Sequence, residues 1–240
     1  MTPGAEKFVF GQRAGQIEIV FPPLYAIIDA DVGKTSELSF AQMMAESGVE
    51  ILQYRSKHAT SRQLFEICAV LSREWPGLRG GSPQARFIVN DRADIAALVG
   101  AGGVHVGQTD LGVEQARAIA GAQSWVGVST HTLEQVAAAD RTSADYIAFG
   151  PIFPTTTKER PDPVVGLDLL AQVRRRTRKP LVAIGGITLD RAADVYRAGA
   201  DSLAVTRDLM TAPDPAARAR AYMEAAGRAR QAGREGAAFQ

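Results

Sequence analysis

The chain repeats one pattern eight times: a short apolar run, a turn, then a stretch in which apolar residues return every three to four positions. The apolar runs predict strands at Leu24–Asp29, Glu50–Arg55, Arg86–Asn90, Gly103–Val106, Trp125–Ser129, Tyr146–Gly150, Leu181–Ile184 and Ser202–Val205. Most are continuous rather than alternating, as parallel strands covered on both faces must be. The stretches between them predict helices over Leu38–Ser47, Ser61–Glu74, Ala93–Val99, Glu114–Ala120, Leu133–Ala139, Gly166–Arg176 and Leu189–Ala198, with a last one near Pro215–Ala226. The pairs Ser47-Gly48, Ala101-Gly102 and Ala198-Gly199 place a glycine where a left-handed C-cap would turn a helix back toward the next strand. Eight successive strand–helix units predict an α/β protein, a single (β/α)8 TIM barrel over residues 21–227; an open doubly wound sheet is the alternative.

Three segments fall outside the repeat. Residues 1–20 form an N-terminal extension, Trp75–Gln84 is a Gly/Pro-rich loop, and the Ala/Arg-rich tail over 228–240 is expected to fray. A length of 240 residues suits one such barrel. With 27 basic against 26 acidic residues there is no broad basic field for nucleic acid or a membrane surface, so positive charge that matters must be local. The lone Cys68 allows no internal disulfide and reads as helix core. No apolar stretch approaches a membrane span, and Met1–Arg13 lacks the pattern of a signal peptide, which predicts a cytoplasmic protein. Its expected partners are small molecules, and a homodimer is compatible with the sequence.

Function in such a barrel collects where strands end and the next loops begin. The second strand ends Gln53-Tyr54-Arg55-Ser56-Lys57, and alternation sends Gln53, Arg55 and Lys57 to one side. Two cations and an amide suit a polyphosphate, although a solvated loop would look the same. The third strand ends Asn90-Asp91, and the fourth leads to Asp110. Neighbouring strands lie about 4.8 Å apart, so the two carboxylates could share a hard cation, or each could cap a helix. The fifth strand ends Ser129-Thr130-His131; Ser129 can donate to a phosphate oxygen, and His131 is an acid–base group, a helix cap or a packing residue. The sixth leads into Gly150-Pro151-Ile152-Phe153-Pro154-Thr155-Thr156-Thr157-Lys158, whose prolines stiffen a loop bearing three hydroxyls and a lysine. Gly185-Gly186 and Thr206-Arg207 end the last two strands, where these barrels commonly hold phosphate on backbone N–H groups. Gly33-Lys34-Thr35 is not a P-loop, because Ile28 occupies the upstream glycine position; Gly100-Ala101-Gly102 fails the dinucleotide pattern at His105 and precedes a strand; no zinc spacing occurs among the three histidines.

The series QYRSK (53–57), NDR (90–92), HVGQTDL (105–111), GVSTHT (127–132), GPIFPTTTK (150–158) and AIGGI (183–187) resembles the thiamin phosphate synthase family, in order and from residue 24 to about 210. The resemblance implies a Mg²⁺-dependent transferase that joins hydroxymethylpyrimidine diphosphate to thiazole phosphate, releasing pyrophosphate. It implies that Gln53, Tyr54, Arg55, Ser56, Lys57, Asn90, Ser129 and Lys158 hold the pyrimidine diphosphate. Of these, Arg55, Lys57, Ser129 and Lys158 would serve catalysis. Asp91 and Asp110 would hold Mg²⁺, and Thr155, Thr156, Thr157, Gly186, Thr206 and Arg207 the thiazole phosphate. The family usually carries an Ile-Ser or Val-Ser pair where this chain has Thr206-Arg207. Two other readings share the fold: a related thiazole tautomerase with His131 as base, and a non-catalytic phosphate-binding regulatory barrel.

Overall fold

The computed structural model describes residues 21–33, 35–155 and 162–237, the last six as backbone. Eight strands pair in parallel and in chain order: β1 (Leu24–Asp29), β2 (Ile51–Arg55), β3 (Arg86–Asn90), β4 (Gly103–Val106), β5 (Trp125–Thr130), β6 (Tyr146–Phe149), β7 (Leu181–Ala183) and β8 (Ser202–Val205). Pairing of Leu24 with Leu203 and Ala26 with Val205 brings β8 back onto β1 and closes the barrel. Around it run α1 (Glu37–Glu46), α2 (Ser61–Leu78), α3 (Ala93–Leu98), α4 (Val113–Ala120), α5 (Leu133–Asp140), α6 (Gly166–Arg174), α7 (Leu189–Arg197), α8 (Arg207–Met210) and α9 (Pro215–Ala237).

Strand alternation divides the interior into two cores. One set of positions, including Leu24, Leu52, Val89, Val104, Val126 and Leu203, packs outward against the helices. The alternate set, Tyr25, Ile51, Ile88, Tyr146, Ala148, Val182 and Ala204, fills the barrel itself. Phe21 lies below this inner set, stacked on Trp125 with ring centroids 5.4 Å apart and tilted against Tyr146 at 5.6 Å. That aromatic group floors the barrel, so the opposite end, where the strands finish, is its mouth.

Helix starts follow the sequence. Ser36 accepts a hydrogen bond from the Ser39 N–H, Thr132 from that of Gln135, and Thr60 with Gln63 forms a reciprocal capping box.

Three expectations need correction. First, α2 runs through Trp75-Pro76-Gly77-Leu78 instead of stopping at Glu74. Burying Trp75 completely is worth about 3–5 kcal/mol, which offsets the roughly 3 kcal/mol that an internal proline costs, and Pro76 sits in the last turns where fewer bonds are lost. Second, α9 does not fray at Arg228 but continues helical to Ala237, and Arg230 donates to the carbonyls of Phe21 and Asp201. Third, the left-handed glycine after α3 is Gly100 (φ 61°), not Gly102, because the helix ends at Leu98. The short α8, directly after β8, was not anticipated as an element of its own.

Candidate functional site

The inward parity of each strand carries through to its end. Residues 29, 55, 90, 105, 129 and 206 therefore stand over the barrel mouth, and the loops beyond β6 and β7 form the rest of its rim. Together, apart from the buried Asp29, they line a cleft of about 450 Å³. Gln53, Arg55, Asn90 and Ser129 line one wall; Thr155, Gly186, Thr206 and Arg207 line the other. Of the other predicted residues that the structure describes, Tyr54, Ser56, Lys57, Asp91 and Asp110 do not line it. The Tyr54 side chain is buried in the outer core against the helices, the opposite parity to Gln53 and Arg55, so it is corrected from a binding to a packing position. The Ser56 hydroxyl accepts from the Ala59 N–H and shapes the turn into α2. Thr156, Thr157 and Lys158 lie outside the described residues.

At the β2–β4 rim, Lys57 Nζ lies 2.5 Å from Asp91 Oδ2. Asp110 Oδ2 accepts from the Gly107 N–H at 2.7 Å, and its carboxyl is close enough to that of Asp91 to share a hydrogen bond. Burial and the Asp91 charge hold the Asp110 carboxyl above the usual carboxylate range. Neither aspartate caps a helix: the N-cap residues of α3 and α4 are Arg92 and Gly112, and neither helix has a side-chain cap. Asp91 is the one described non-glycine residue in the left-handed region (φ 63°), a conformation that costs about 1–3 kcal/mol and collects at functional sites. Among the described residues no three His, Cys, Asp or Glu side chains converge, so this pair offers two carboxylates and no closed cage.

Arg55 is held by Asp29, a fully buried carboxylate that also accepts from the Asp31 N–H. Charges taken out of water persist only when paired this way. Opposite, Gly185 and Gly186 take φ of 88° and 64°. A Cβ on Gly186 would come within 2.4 Å of the Pro154 carbonyl oxygen, so only glycine lets the loops after β6 and β7 approach. Phe153 N–H donates to the Gly185 carbonyl at 3.1 Å, and Arg191 lies over the Phe153 ring at 4.6 Å and donates to the Gly186 carbonyl.

Sequence reasoning missed several residues that build the cleft. Beneath it, Ser129, His105, Tyr146, Tyr25, Gln53 and Asn90 form one hydrogen-bonded chain across the barrel. The signal was present: Tyr25, His105 and Tyr146 are polar-capable residues at inward positions of otherwise apolar runs. His131 lies on the cleft wall, its Nδ1 2.5 Å from the Gly150 carbonyl oxygen and its Nε2 3.3 Å from Asp162.

Residues 24–209 match the thiamine monophosphate synthase family. The chain belongs to that family. The thiamine-phosphate synthase of Koribacter versatilis is 47% identical over 208 residues, covering 85% of this chain and 95% of that one. That of Chloroflexus aurantiacus is 43% identical over 198 residues, covering 82% and 89%. The solved thiamine phosphate pyrophosphorylase of Pyrococcus furiosus superposes with a TM-score of 0.77 at 31% identity, covering 88% of this chain and 98% of its own. The match to thiamine monophosphate synthases thus spans every strand of the barrel.

Proposed function

We propose that this chain condenses 4-amino-2-methyl-5-hydroxymethylpyrimidine diphosphate with thiazole phosphate, giving thiamin monophosphate and pyrophosphate. The observation that carries the reading is one cleft, in a member of this family, with two differently built anion-holding ends. Arg55, with Lys57 and the Asp91–Asp110 pair on the rim beside it, suits a diphosphate. Gly186, Thr206 and Arg207, with the short turn of α8, suit a monophosphate.

In this reading the carbon–oxygen bond of the pyrimidinylmethyl diphosphate breaks first, and its electron pair leaves with pyrophosphate. The ring amino group stabilises the carbon left behind, and the thiazole nitrogen lone pair forms the new carbon–nitrogen bond. No proton need be abstracted in the slow step and no protein nucleophile is required. The protein's part is to stabilise charge growing on the leaving oxygens with groups already in place. Arg55, pre-oriented by Asp29, and Lys57 do this; Lys158, assigned from the sequence resemblance, adds a third cation. Asp91 and Asp110 fit Mg²⁺, since they are hard-oxygen ligands, uncommitted to helix capping and mutually close, and a cation held there would neutralise pyrophosphate charge. The direct test is incubation with both substrates, with and without Mg²⁺. Thiamin monophosphate appearing only with Mg²⁺ is the expected result; tautomer interconversion of the thiazole without any coupling would replace the reading with the isomerase.

A further inference from the structure

The chain of six polar residues beneath the cleft has a direction. Its members sit on neighbouring strands in register: Asn90 opposite His105, His105 opposite Gly127, Gly127 opposite Tyr146. Gly127 is what makes the crossing feasible, because a Cβ there would lie 2.0 Å from Tyr146 Cζ. The absent side chain leaves space for the phenol to reach both His105 and Tyr25.

Each link constrains the next. Tyr25 donates its hydroxyl to Gln53 Oε1 at 2.7 Å, while Gln53 Nε2 donates to Asn90 Oδ1 at 3.2 Å. A phenol has one proton, so at the 2.9 Å Tyr25–Tyr146 contact Tyr146 must be the donor. With its proton spent, Tyr146 can only accept from His105 Nδ1, 3.1 Å away. Neutral imidazole protonated at Nδ1 has a bare Nε2, which must accept from the Ser129 hydroxyl at 2.8 Å. Burial pushes both phenols above their ordinary range, so neither loses the proton that sets the direction.

We propose that Tyr25, Tyr146 and His105 are positioning residues that lock the polarity of the cleft wall. They leave Ser129 Oγ as a hydrogen-bond acceptor and the Asn90 amide nitrogen as a donor. That pattern selects a ring carrying an exocyclic amine and ring-nitrogen acceptors over the same ring carrying an oxo group. The inference rests on the proposed pyrimidine-binding role of this wall and goes beyond it. It reverses the expectation that Ser129 donates to phosphate, since its proton is committed to His105. The opposite polarity would require both amides to turn over together.

Two measurements test it. In protein labelled with ¹⁵N-histidine, only three imidazoles contribute, and His105 is assigned by comparison with His58→Gln and His131→Asn. Long-range ¹H–¹⁵N spectra should show His105 neutral with the proton on Nδ1. Tyr25→Phe takes away the acceptor for Tyr146, freeing that phenol to donate to Nδ1, so the His105 proton should move to Nε2. Calorimetry should then show wild type binding the 4-amino pyrimidine diphosphate roughly tenfold to a hundredfold more tightly than its 4-oxo analogue, the scale of leaving one buried group unpaired. Tyr25→Phe and Tyr146→Phe should narrow that ratio toward one. A wild-type proton on Nε2, or an unchanged tautomer and ratio in Tyr25→Phe, would overturn the lock. Should Tyr146→Phe fail to fold, Tyr25→Phe and the wild-type spectrum still decide. Selective binding and the expected tautomer without thiamin monophosphate formation would support the lock while refuting the proposed reaction.

Discussion

The two walls of the cleft work by opposite means. The wall from β2 to β5, with the rim beyond it, acts through side chains: Arg55 on Asp29 and Ser129 on His105 in the wall, Lys57 on Asp91 at the rim outside the lining. The wall from β6 to β8 acts largely through bare backbone: two left-handed glycines, a loop tied to them by main-chain bonds, and a four-residue helix. A wall made of charges can be disabled by removing a group. A wall made of close backbone approach is disabled by adding one.

The largest expected effect therefore falls on the first wall. Asp91→Asn keeps a residue that tolerates the left-handed conformation but removes the charge, and should lower Mg²⁺-dependent coupling by about 10²-fold or more. Near-normal turnover across a Mg²⁺ titration would break the shared-cation assignment. Arg55→Ala and Lys57→Ala should each cost about 10²-fold in kcat, yet differ in stability. Removing Arg55 strands the buried Asp29 carboxylate, a loss on the order of 3–5 kcal/mol, whereas Lys57 is about half exposed and its removal should leave the melting temperature nearly unchanged. Equal melting temperatures for the two variants would show that Asp29 does not depend on Arg55.

On the second wall, Gly186→Ala should raise the KM for thiazole phosphate about tenfold while changing kcat less, because the methyl drives the Pro154 and Phe153 loop outward. A change confined to the pyrimidine substrate would remove the division between walls. His131→Asn should cost coupling tenfold or less. A base in a tautomerase would cost on the order of 10²–10⁴-fold, so the measured drop separates the two chemistries.

The smallest effect belongs to neither wall. Burial pushes the Cys68 thiol and the Tyr54 phenol up to about 12. Both are deprotonated more readily when the chain unfolds, so the stability they contribute is whole below about pH 9 and drains away as pH rises toward 12. Melting temperatures at pH 8 and 10.5 should differ by a few degrees, and Tyr54→Phe should lessen the difference.

The barrel was readable because each strand announces itself as an apolar run of the right length; all eight fall where the pattern put them. The outer wall of chemistry was partly readable by parity, which placed Arg55 and Gln53 together. Parity also should have excluded Tyr54, which the family resemblance had carried in with its neighbours. What stayed hidden depends on pairs distant in sequence. Asp29 and Arg55 meet only through strand register, and the route from Ser129 to Asn90 draws one residue from each of six strands and needs a missing side chain at Gly127. At α2, local turn chemistry pointed to a loop, and burial of Trp75 prevailed over it.

The aromatic floor of Phe21, Trp125 and Tyr146 has a consequence for traffic. With that end stoppered, the barrel is a room with a single door, through which two reactants must arrive and two products depart. In the proposed reaction the two guests leave as one joined molecule, so that product and pyrophosphate must both depart by the door through which the reactants came, opposite the three rings at the far end of the fold.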